Sequence, residues 1–414
     1  MGRWIEHAQP LVIKRAEGCR LFDVDGRSLI DGNASWWTSL LGHNHPRLVA
    51  ALVRQSSELC HCSLAGITHE PAARLAAELV DMAPANLTRV FFSDDGSTAV
   101  EVAVKLAVQY WRQLGYPDRY RFVALDGAFH GETLAPTALS GVQEFRAPFD
   151  RIVMDVIHVP PSLAGYDQAF SQLHDLLLRE SNSIAAVVVE PILQGAAGMR
   201  TYSAQYLAHL RKITQDLGIL LVADEVFTGY GRTGPFWACA QADVVPDILC
   251  TAKGFSGGIL PMAATLTTEQ LFQGFIGDKD RAFYYGHTFC GNPLGAAVAR
   301  EVLAVYRDEN VLERAYPKAK KIAAAFEVLS DRPYVANTRC LGMMGAIELS
   351  GKSGYFGESG WRVCEEALRR GAYIRPLGDV VYIAPALNIP DDDLDELLET
   401  VRQSLAAAFT DFPK

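Results

Sequence analysis

One stretch of the chain, Leu220 to Gly258, constrains the fold more than any other. It continues an unbroken apolar run, Ile219 to Ala223, which is typical of a strand buried on both faces of a parallel sheet. Asp224 and Glu225 follow at the carboxyl end of this strand, the edge at which α/β sheets bind their ligands. The stretch therefore predicts an α/β fold with an acidic site at one edge of the sheet.

A lysine lies at the end of the next expected strand. After a glycine-rich turn, a short run from Asp247 to Cys250 leads to Lys253, 29 residues beyond Asp224. Alone, either residue is commonly structural, because strands often end in acids and a lysine before glycine is often a solvated helix cap. A desolvated lysine, however, loses its proton readily and can form a Schiff base, while a carboxylate on a neighbouring strand end can bind a pyridine nitrogen. The pair predicts a pyridoxal ring held from two sides.

Two motifs resemble the signature of the class III aminotransferases, which have the type I fold of pyridoxal-phosphate enzymes. They are ADEVFTGYGRTG, from Ala223, and DILCTAKGFSGG, from Asp247. The resemblance covers essentially the whole chain. It implies an α/β fold with a mostly parallel sheet in a large domain, residues 48–295, and a smaller α+β domain built from residues 1–47 and 296–414. It also implies that Lys253 and Asp224 are the catalytic residues.

A glycine-serine turn is the candidate phosphate site. Gly96, Ser97 and Thr98 follow a predicted strand, Arg89 to Ser93, and open a predicted helix. The first N–H groups of a helix and the positive end of its dipole attract anions. An ordinary N-cap would give the same pattern. The resemblance favours the first interpretation, because this turn corresponds to the family's cofactor-phosphate turn.

The resemblance also implies contacts around the cofactor ring. Phe129 matches an aromatic residue that stacks on the ring, and Val226 matches the residue on its other face. Glu190, in the turn EPILQG, matches a residue near the ring hydroxyl. His130 is either a hydrogen-bonded structural histidine or a proton-transfer group. Thr288 matches a threonine that reaches the cofactor phosphate of the neighbouring subunit, so the resemblance implies a homodimer with shared active sites.

The segment NASWWTSLLGHNHPRL narrows the resemblance to one branch of the class. Members of that branch transfer an amino group from S-adenosylmethionine to 8-amino-7-oxononanoate in biotin synthesis, by a ping-pong mechanism. On that resemblance Trp36 and Trp37 line the substrate pocket, although two adjacent tryptophans are also typical of a core or a dimer interface. Arg375 matches the arginine that receives a substrate carboxylate, a task suited to a guanidinium group.

The resemblance implies further substrate-binding residues, and one of them has a second, structural interpretation. Gly286 and His287 belong to the segment YGHTFCGNP, which resembles a family segment at the shared site. Arg232, in GYGRTG, either faces the pocket or forms a structural ion pair. Phe129 stands where the branch has tyrosine, and the N-terminus is shorter than is typical of that branch and lacks the aromatic segment that closes its substrate site.

Other activities share this fold. An ω-amino acid, lysine or diamine:2-oxoacid aminotransferase would use the same core residues. An aminomutase or a racemase would keep Lys253 and Asp224 without net amino transfer. A binding protein without enzymatic activity need not retain both residues.

Composition restricts the partners and the compartment. The net charge of −10 and the lack of a long basic run favour small-molecule substrates over nucleic acid or an anionic membrane. The first eighteen residues contain no apolar h-region of about 7–15 residues, which predicts neither export nor a membrane span. The eight cysteines are scattered, as expected of reduced thiols in the cytoplasm. Cys60, His61, Cys62 and His69 lack the CxxC spacing of zinc sites, so no metal site is predicted.

Overall fold

The computed structural model of the protein describes residues 11–161, 167–351 and 357–410. Residues 1–10, on which the expectations about export and about the missing aromatic stretch depend, lie outside the described residues. The described strands are β1 Ile13–Glu17, β2 Arg20–Asp23, β3 Ser28–Asp31, β4 Leu87–Ser93, β5 Arg121–Leu125, β6 Val156–Val159, β7 Ile184–Val189, β8 Leu193–Gln194, β9 Arg200–Thr201, β10 Leu220–Asp224, β11 Ile248–Thr251, β12 Ala263–Thr268, β13 Val335–Leu341, β14 Met344–Leu349, β15 Ala372–Tyr373 and β16 Val380–Ile383.

Helices connect most of these strands. The right-handed α-helices of the described residues are α1 Pro46–Glu58, α2 Glu70–Met82, α3 Gly96–Gln113, α4 Leu134–Leu139, α5 Gln143–Arg146, α6 Gln168–Glu180, α7 Ala204–Asp216, α8 Glu269–Gln273, α9 Pro293–Asp308, α10 Val311–Glu327, α11 Ser359–Arg369 and α12 Asp391–Ala408. Short 3₁₀ helices are Ala147–Phe149, Ala238–Ala242, Lys253–Ser256 and Lys279–Arg281. None of the helices in the described ranges is both long and apolar enough to span a membrane.

A seven-stranded sheet forms the centre of the large domain, in the order β4-β12-β11-β10-β7-β5-β6. Strand β10 pairs in parallel with β7 and β11, whereas β12 is antiparallel to both of its neighbours. Strands β7 and β10 are buried along their whole length, which is why they read as continuous apolar runs. The prediction of a mostly parallel sheet in a type I fold is confirmed.

The topology brings several strand ends to one edge of this sheet. Because β7, β10 and β11 are parallel, their carboxyl ends lie side by side, with Asp224 opposite Cys250. Strand β4 is antiparallel to β12 and so runs in the same direction as β11. The residues that follow β4, β5, β7, β10 and β11 are therefore neighbours in space, as expected for a ligand site in an open α/β sheet.

Helix α3 packs on this sheet through one apolar face. Its buried residues include Val100, Ala103, Val104, Ala107 and Trp111, which recur at the spacing of an amphipathic helix. Burial of one such aliphatic side chain contributes about 1.5–3 kcal/mol to the free energy of unfolding. This packing fixes the position of the first turn of α3 at the edge where the strands end.

The two ends of the chain meet in a second sheet. Strands β1, β2, β3 and β15 are neighbours in that order, and Tyr373 of β15 lies opposite Asp31 of β3 in a parallel pair. A third sheet contains β13, β14 and β16. Residues near Asp31 and Tyr373 thus come together although most of the chain separates them. The boundaries proposed for the two domains stay a prediction.

Candidate active site

Asp224 is buried at the end of β10, with both of its carboxylate oxygens hydrogen-bonded. Its Oδ1 atom accepts from the backbone N–H of Val226 at 3.0 Å, and its Oδ2 atom lies 2.8 Å from Nδ1 of His130. At this distance Nδ1 of His130 can donate a hydrogen bond to the carboxylate. The other ring nitrogen of His130 is buried and has no partner among the residues described. His130 therefore holds the Asp224 carboxylate in one orientation.

Both carboxylate oxygens of Glu225, the next residue, accept hydrogen bonds, and the donors differ from those of Asp224. Its Oε1 atom accepts from the N–H of Cys239 at 2.8 Å, and its Oε2 atom accepts from the N–H of Ala238 at 3.0 Å and the hydroxyl of Thr228 at 2.5 Å. Burial raises the pKa of Glu225, and these hydrogen bonds oppose that shift. Glu225 therefore secures the loop after β10.

Lys253 follows β11 and has a backbone φ of 49°, in the left-handed region that is uncommon for residues other than glycine. Its Nζ atom lies 4.7 Å from the ring centroid of Trp37 and 5.9 Å from that of Phe227. Removal from water lowers the pKa of Lys253, while the charges of Asp224 and Glu190 oppose that shift. Lys253 is thus more readily available as a neutral amine than an exposed lysine.

Glu190 follows β7 and is also buried. Its two oxygens accept hydrogen bonds from the backbone N–H groups of Phe129 and Gly195, each at 2.9 Å. Burial raises the pKa of Glu190 to about 7, with a further contribution from Asp224, against the opposing effects of His130 and the two hydrogen bonds. We call Lys253, Asp224, Glu190 and His130 the strand-end cluster.

The first turn of α3 lies beside this cluster. Asp95 caps the helix, because its Oδ1 atom accepts from the N–H of Thr98 at 2.9 Å while the hydroxyl of Thr98 lies 3.0 Å from the N–H of Asp95. This capping box uses both polar groups of Thr98. The N–H groups of Gly96 and Ser97 are in the first turn and have no intrahelical acceptor. They are the donors of this turn that suit an anion.

The hydroxyl of Ser97 holds a neighbouring loop. It accepts from the N–H groups of Glu132 and Thr133, each at 2.9 Å. A Cβ on Gly131 would lie 2.4 Å from the Ser97 hydroxyl, and the φ of Gly131 is +128°, so glycine permits this close approach. Ser97 therefore fixes the loop that carries Phe129 and His130.

The residues expected on the two faces of the cofactor ring are both partly buried. A Cβ on Gly96 would lie 2.7 Å from Cγ1 of Val226, so Val226 packs directly against the start of α3. The ring of Phe129 packs edge-on against Phe145, with centroids 5.3 Å apart. The backbone of Phe129 is fixed by Glu190.

Residues Ala34 to Trp37 form a left-handed helical turn. Their φ values are 46°, 48°, 57° and 75°, and the turn closes with a hydrogen bond from the N–H of Trp37 to the carbonyl of Asn33 at 2.8 Å. This conformation is disfavoured for L-amino acids by about 1–2 kcal/mol per residue. Consecutive positive φ values outside glycine are a form of strain that is concentrated at functional sites. We refer to it as the left-handed turn.

The left-handed turn presents its two tryptophans differently. Trp37 is buried against Phe227, with ring centroids 4.3 Å apart, and against Tyr382 at 6.1 Å. Trp36 is 58% exposed. Its ring lies 4.4 Å from the guanidinium carbon of Arg375. We call Trp36, Trp37, Phe227, Arg375 and Tyr382 the tryptophan cluster.

Arg375 is available for an anionic ligand. Its backbone N–H donates to Oδ1 of Asn33 at 2.9 Å, and the contact seen for its guanidinium group among the described residues is with an uncharged ring, that of Trp36. Its planar group stacks on Trp36, an arrangement that leaves the edge with the N–H donors available. The geometry is therefore compatible with the predicted role of Arg375.

Arg232 has a different environment from Arg375. It is fully buried, and its Nη1 atom donates to the carbonyl oxygens of Met343 at 2.9 Å and Pro385 at 2.8 Å. Burial lowers the pKa of Arg232 to about 10. Within the described ranges, no acid pairs with it, and its Nε and Nη2 atoms have no partner. Arg232 joins the loop after β10 to the segments around β14 and β16.

The segment that contains Gly286, His287 and Thr288 is exposed and lies near the first turn of α3. Nδ1 of His287 is 2.6 Å from Oδ2 of Asp94, just before the helix cap. Asp94, His287 and Cys290 offer three possible metal-ligand atoms that lie within 4.8 Å of one another. Burial raises the pKa of the Cys290 thiol to about 11. The Asp94–His287 contact places His287 beside the residue that precedes the cap of α3.

The sequence profile of the family described as aminotransferase class-III matches residues 3–405. The chain belongs to this family. A curated relative of this aminotransferase is the adenosylmethionine-8-amino-7-oxononanoate aminotransferase of Nitratidesulfovibrio vulgaris. The two sequences are 40% identical, over 97% of this chain and 78% of the relative.

Solved structures of two aminotransferases resemble this aminotransferase. The crystal structure of the adenosylmethionine-8-amino-7-oxononanoate aminotransferase of Methanocaldococcus jannaschii has a TM-score of 0.95 and 32% identity, and covers 99% of this chain and 96% of that one. An amine transaminase from an uncultivated Pseudomonas species, in its PLP-bound form, has a TM-score of 0.91 and 29% identity, over 97% and 95% of the two chains. The resemblance to class III aminotransferases read from the two motifs is thus confirmed.

Sequence reasoning missed two residues of the candidate site, Phe227 and Tyr382. Phe227 lies inside the motif that contains Asp224, yet nothing in the motif distinguishes it from a core residue. Tyr382 lies on β16, where only the alternation of apolar residues is visible. Both contact Trp37, so their place in the site depends on tertiary packing. The roles assigned to the predicted site residues stay predictions.

Proposed function

We propose that this aminotransferase transfers the amino group of S-adenosylmethionine to 8-amino-7-oxononanoate, giving 7,8-diaminononanoate in biotin synthesis, with pyridoxal 5'-phosphate as its cofactor. The observation that carries the proposal is the extent of the similarity to the enzymes whose names state these two substrates, which covers 97% of this chain in one relative and 99% in a solved structure.

The residues present fit pyridoxal phosphate. The first turn of α3 offers the N–H groups of Gly96 and Ser97 to a phosphate, and the packing of Val226 on Gly96 leaves no room for a side chain there. Asp224 offers a carboxylate for the ring nitrogen, and Lys253 offers an amine of lowered pKa for the aldehyde. When bound, pyridoxal phosphate supplies an aldehyde that condenses with amines and a ring that accepts electrons.

Lys253 would act as the general base and acid. Because burial lowers the pKa of Lys253, its Nζ atom can take a proton from the reacting carbon of the substrate and later return it. The rings of Trp37 and Phe227 lie within 6 Å of this amine and limit the access of water to it. Proton transfer therefore takes place in a partly desolvated space.

Asp224 would keep the ring nitrogen of the cofactor protonated. The contacts with His130 and with the N–H of Val226 would hold the Asp224 carboxylate in the orientation that binds the ring nitrogen. His130 would act through Asp224, and its contact with that carboxylate supports the structural interpretation of this histidine. Glu190 would fix the loop of Phe129 and lie near the ring hydroxyl.

The tryptophan cluster would bind both substrates in turn, as a ping-pong mechanism requires. Arg375 would receive the carboxylate of 8-amino-7-oxononanoate through paired hydrogen bonds. Trp36, Trp37 and Phe129 would line the aliphatic chain of this acceptor. Arg232 is held by two carbonyl groups, which supports a structural contribution to the pocket.

We further propose a cytoplasmic homodimer with shared active sites. The exposure of Gly286, His287 and Thr288 supports a contact of this segment with a second copy. The net charge of −10 supports small-molecule substrates over nucleic acid. The free thiols support a reducing compartment.

The proposal is tested by following product formation with purified, cofactor-loaded enzyme. We expect 7,8-diaminononanoate from 8-amino-7-oxononanoate with S-adenosylmethionine as donor, and little product with lysine or a diamine. Amino transfer to 2-oxoacids from lysine or a diamine, without any 7,8-diaminononanoate, would contradict the proposal and favour the general ω-aminotransferase. That alternative is supported by the similarity to the amine transaminase and by the phenylalanine at position 129.

A further inference from the structure

The left-handed turn requires an interaction that favours the left-handed conformation over the right-handed one. Its hydrogen bond from the N–H of Trp37 to the carbonyl of Asn33 is of the ordinary helical type, and a right-handed turn would form the same bond. The positive φ values of Ala34 to Trp37 bring each Cβ close to the following carbonyl oxygen. Such strain persists only where surrounding contacts determine the conformation. These contacts must come from outside the turn.

The carboxylate of Asp31 supplies contacts of this kind. Asp31 is buried at the end of β3. Its Oδ1 atom accepts from the N–H of Asn33 at 3.1 Å, and its Oδ2 atom accepts from the N–H of Ser35 at 2.7 Å. The Nε2 atom of His43 lies 2.8 Å from the same oxygen. The carboxylate thus fixes the direction of two backbone N–H groups, one before the turn and one within it.

Contacts on the other side link this turn to the tryptophan cluster. The side-chain oxygen of Asn33 accepts from the backbone N–H of Arg375 at 2.9 Å. The turn then places Trp36 against the guanidinium group of Arg375 and Trp37 against Lys253. A change of hand would move both indole rings, because successive side chains project in different directions from left-handed and right-handed turns.

We propose that Asp31 is a positioning residue for substrate binding. Its carboxylate selects the left-handed turn and thereby sets Trp36 against Arg375 and Trp37 against Lys253. Asp31 does not itself touch the substrate. The inference rests on the proposed function only for the identity of the two substrates.

The chain contains a matched control. Asp23 is also buried, and its Oδ1 atom accepts from the N–H groups of Asp25 at 3.0 Å and Arg27 at 2.8 Å. A basic side chain, that of Arg27, lies 2.5 Å from its other oxygen. Asp23 thus binds N–H groups two and four residues ahead, as Asp31 does, but its turn contacts no residue of the active site in the described structure. Asp23→Asn removes the same kind of interaction without changing the tryptophan cluster.

The experiment compares Asp31→Asn with Asp23→Asn in the cofactor-loaded enzyme. We expect Asp31→Asn to lower kcat/KM for 8-amino-7-oxononanoate about 100-fold, the effect of a displacement of about 1 Å in a binding group, with a smaller loss for S-adenosylmethionine. The near-ultraviolet circular dichroism and the quenching of tryptophan fluorescence by acrylamide should change as well. Asp23→Asn should retain wild-type kinetics and spectra. Equal effects of the two substitutions, or wild-type spectra and kinetics in Asp31→Asn, would overturn the proposal.

Two substitutions at Ser35 test the same inference if Asp31→Asn does not fold. The side chain of Ser35 is exposed, and its φ is 48°. Glycine adopts a positive φ without steric cost and keeps the N–H that Asp31 binds, whereas proline requires a φ near −65° and has no N–H. We expect Ser35→Pro to lower kcat/KM for the acceptor at least about tenfold more than Ser35→Gly. Equal kinetics of the two variants would contradict the proposal.

The spectroscopic comparison separates this inference from the proposed function. If the wild-type enzyme does not use S-adenosylmethionine or 8-amino-7-oxononanoate, the proposed function fails. The circular dichroism and quenching of Asp31→Asn against Asp23→Asn still decide whether Asp31 holds the left-handed turn, because these measurements need no substrate.

Discussion

The strand-end cluster and the tryptophan cluster form two sides of one site, yet they are built differently. In the strand-end cluster, Asp224 ends one buried strand, and Glu190 and Lys253 follow two other buried strands of the same sheet. Backbone N–H groups contact both carboxylates. The tryptophan cluster joins a left-handed turn to Arg375 through a hydrogen bond between residues 342 positions apart. Trp36 is exposed, whereas Asp224 is buried.

This difference indicates that the two clusters have different functions. Hydrogen bonds fix both carboxylates of the strand-end cluster at adjacent strand ends, so this cluster provides chemistry that does not depend on the substrate. The tryptophan cluster depends on contacts between the two ends of the chain, so it can vary with the substrate. Substitutions in the first cluster should therefore affect both half-reactions, and those in the second should affect one more than the other.

The largest expected effect is that of Lys253→Ala in the strand-end cluster. Removal of the amine eliminates both the attachment of the cofactor and the proton transfer, so turnover should fall by at least about 10⁴-fold in both half-reactions. Steady-state kinetics with either donor would measure this loss. Lys212→Ala, at an exposed lysine of α7, is the control and should retain activity. Detectable multiple turnover by Lys253→Ala would show that the lysine has been assigned the wrong role.

Two neighbouring acids give the next comparison. Asp224→Asn removes the charge that keeps the ring nitrogen protonated, and kcat should fall about 10³-fold for both substrates. Glu225→Gln places an amide N–H₂ against backbone donors, so the free energy of unfolding should fall by about 1–3 kcal/mol while kcat is retained. Chemical denaturation and kinetics of the two variants measure the two effects. A larger loss of kcat in Glu225→Gln than in Asp224→Asn would reverse the assignment.

Arg375→Ala tests the tryptophan cluster. Loss of a hydrogen-bonded guanidinium group should lower kcat/KM for 8-amino-7-oxononanoate about 100-fold. The loss for S-adenosylmethionine should be much smaller. Arg375→Lys should recover only part of the activity, because lysine lacks the planar fork that binds a carboxylate through two bonds. Arg362→Ala, at an exposed arginine of α11, serves as the control. An equal loss in both half-reactions would indicate that Arg375 takes part in the chemistry shared by both half-reactions and does not bind the acceptor specifically.

The smallest expected effect is that of Phe129→Tyr. A hydroxyl at this position supplies one hydrogen bond, which contributes about 0.5–1.5 kcal/mol and corresponds to about a two- to tenfold increase in kcat/KM for the acceptor. The stacking of the ring is unchanged by the substitution. Parallel measurement of the donor half-reaction would show whether the gain is specific. A loss of activity would indicate that the pocket around Phe145 does not accommodate a polar group.

The fold could be predicted largely because its central strands are buried on both faces. The runs before Asp224 and Glu190 contain almost only apolar residues, and their length excludes most helices. By contrast, Val156–Val159 lies in a region without a clear periodic signal, and the antiparallel direction of β12 depends on its two neighbours. Strand direction is a property of the assembled sheet, so local sequence does not reveal it.

Local sequence likewise predicts only part of the candidate site. Lys253 and Asp224 could be paired from the sequence because each follows an apolar run of strand length and they are 29 positions apart in one continuous stretch. The left-handed turn could not be predicted, because Ala34, Ser35 and the two tryptophans favour right-handed conformations in isolation. Its hand depends on a carboxylate from β3 and on contacts with Arg375 at the other end of the chain.

The measurement that tests the proposed function most directly is the absorption spectrum of the cofactor-loaded enzyme. The protein is titrated first with S-adenosylmethionine and then with 8-amino-7-oxononanoate. We expect the band of the Lys253-bound cofactor to convert to that of the pyridoxamine form with the donor and to return with the acceptor. If S-adenosylmethionine leaves the band unchanged while lysine or a diamine removes it, the assigned donor is contradicted, although the chemistry of the strand-end cluster would stand.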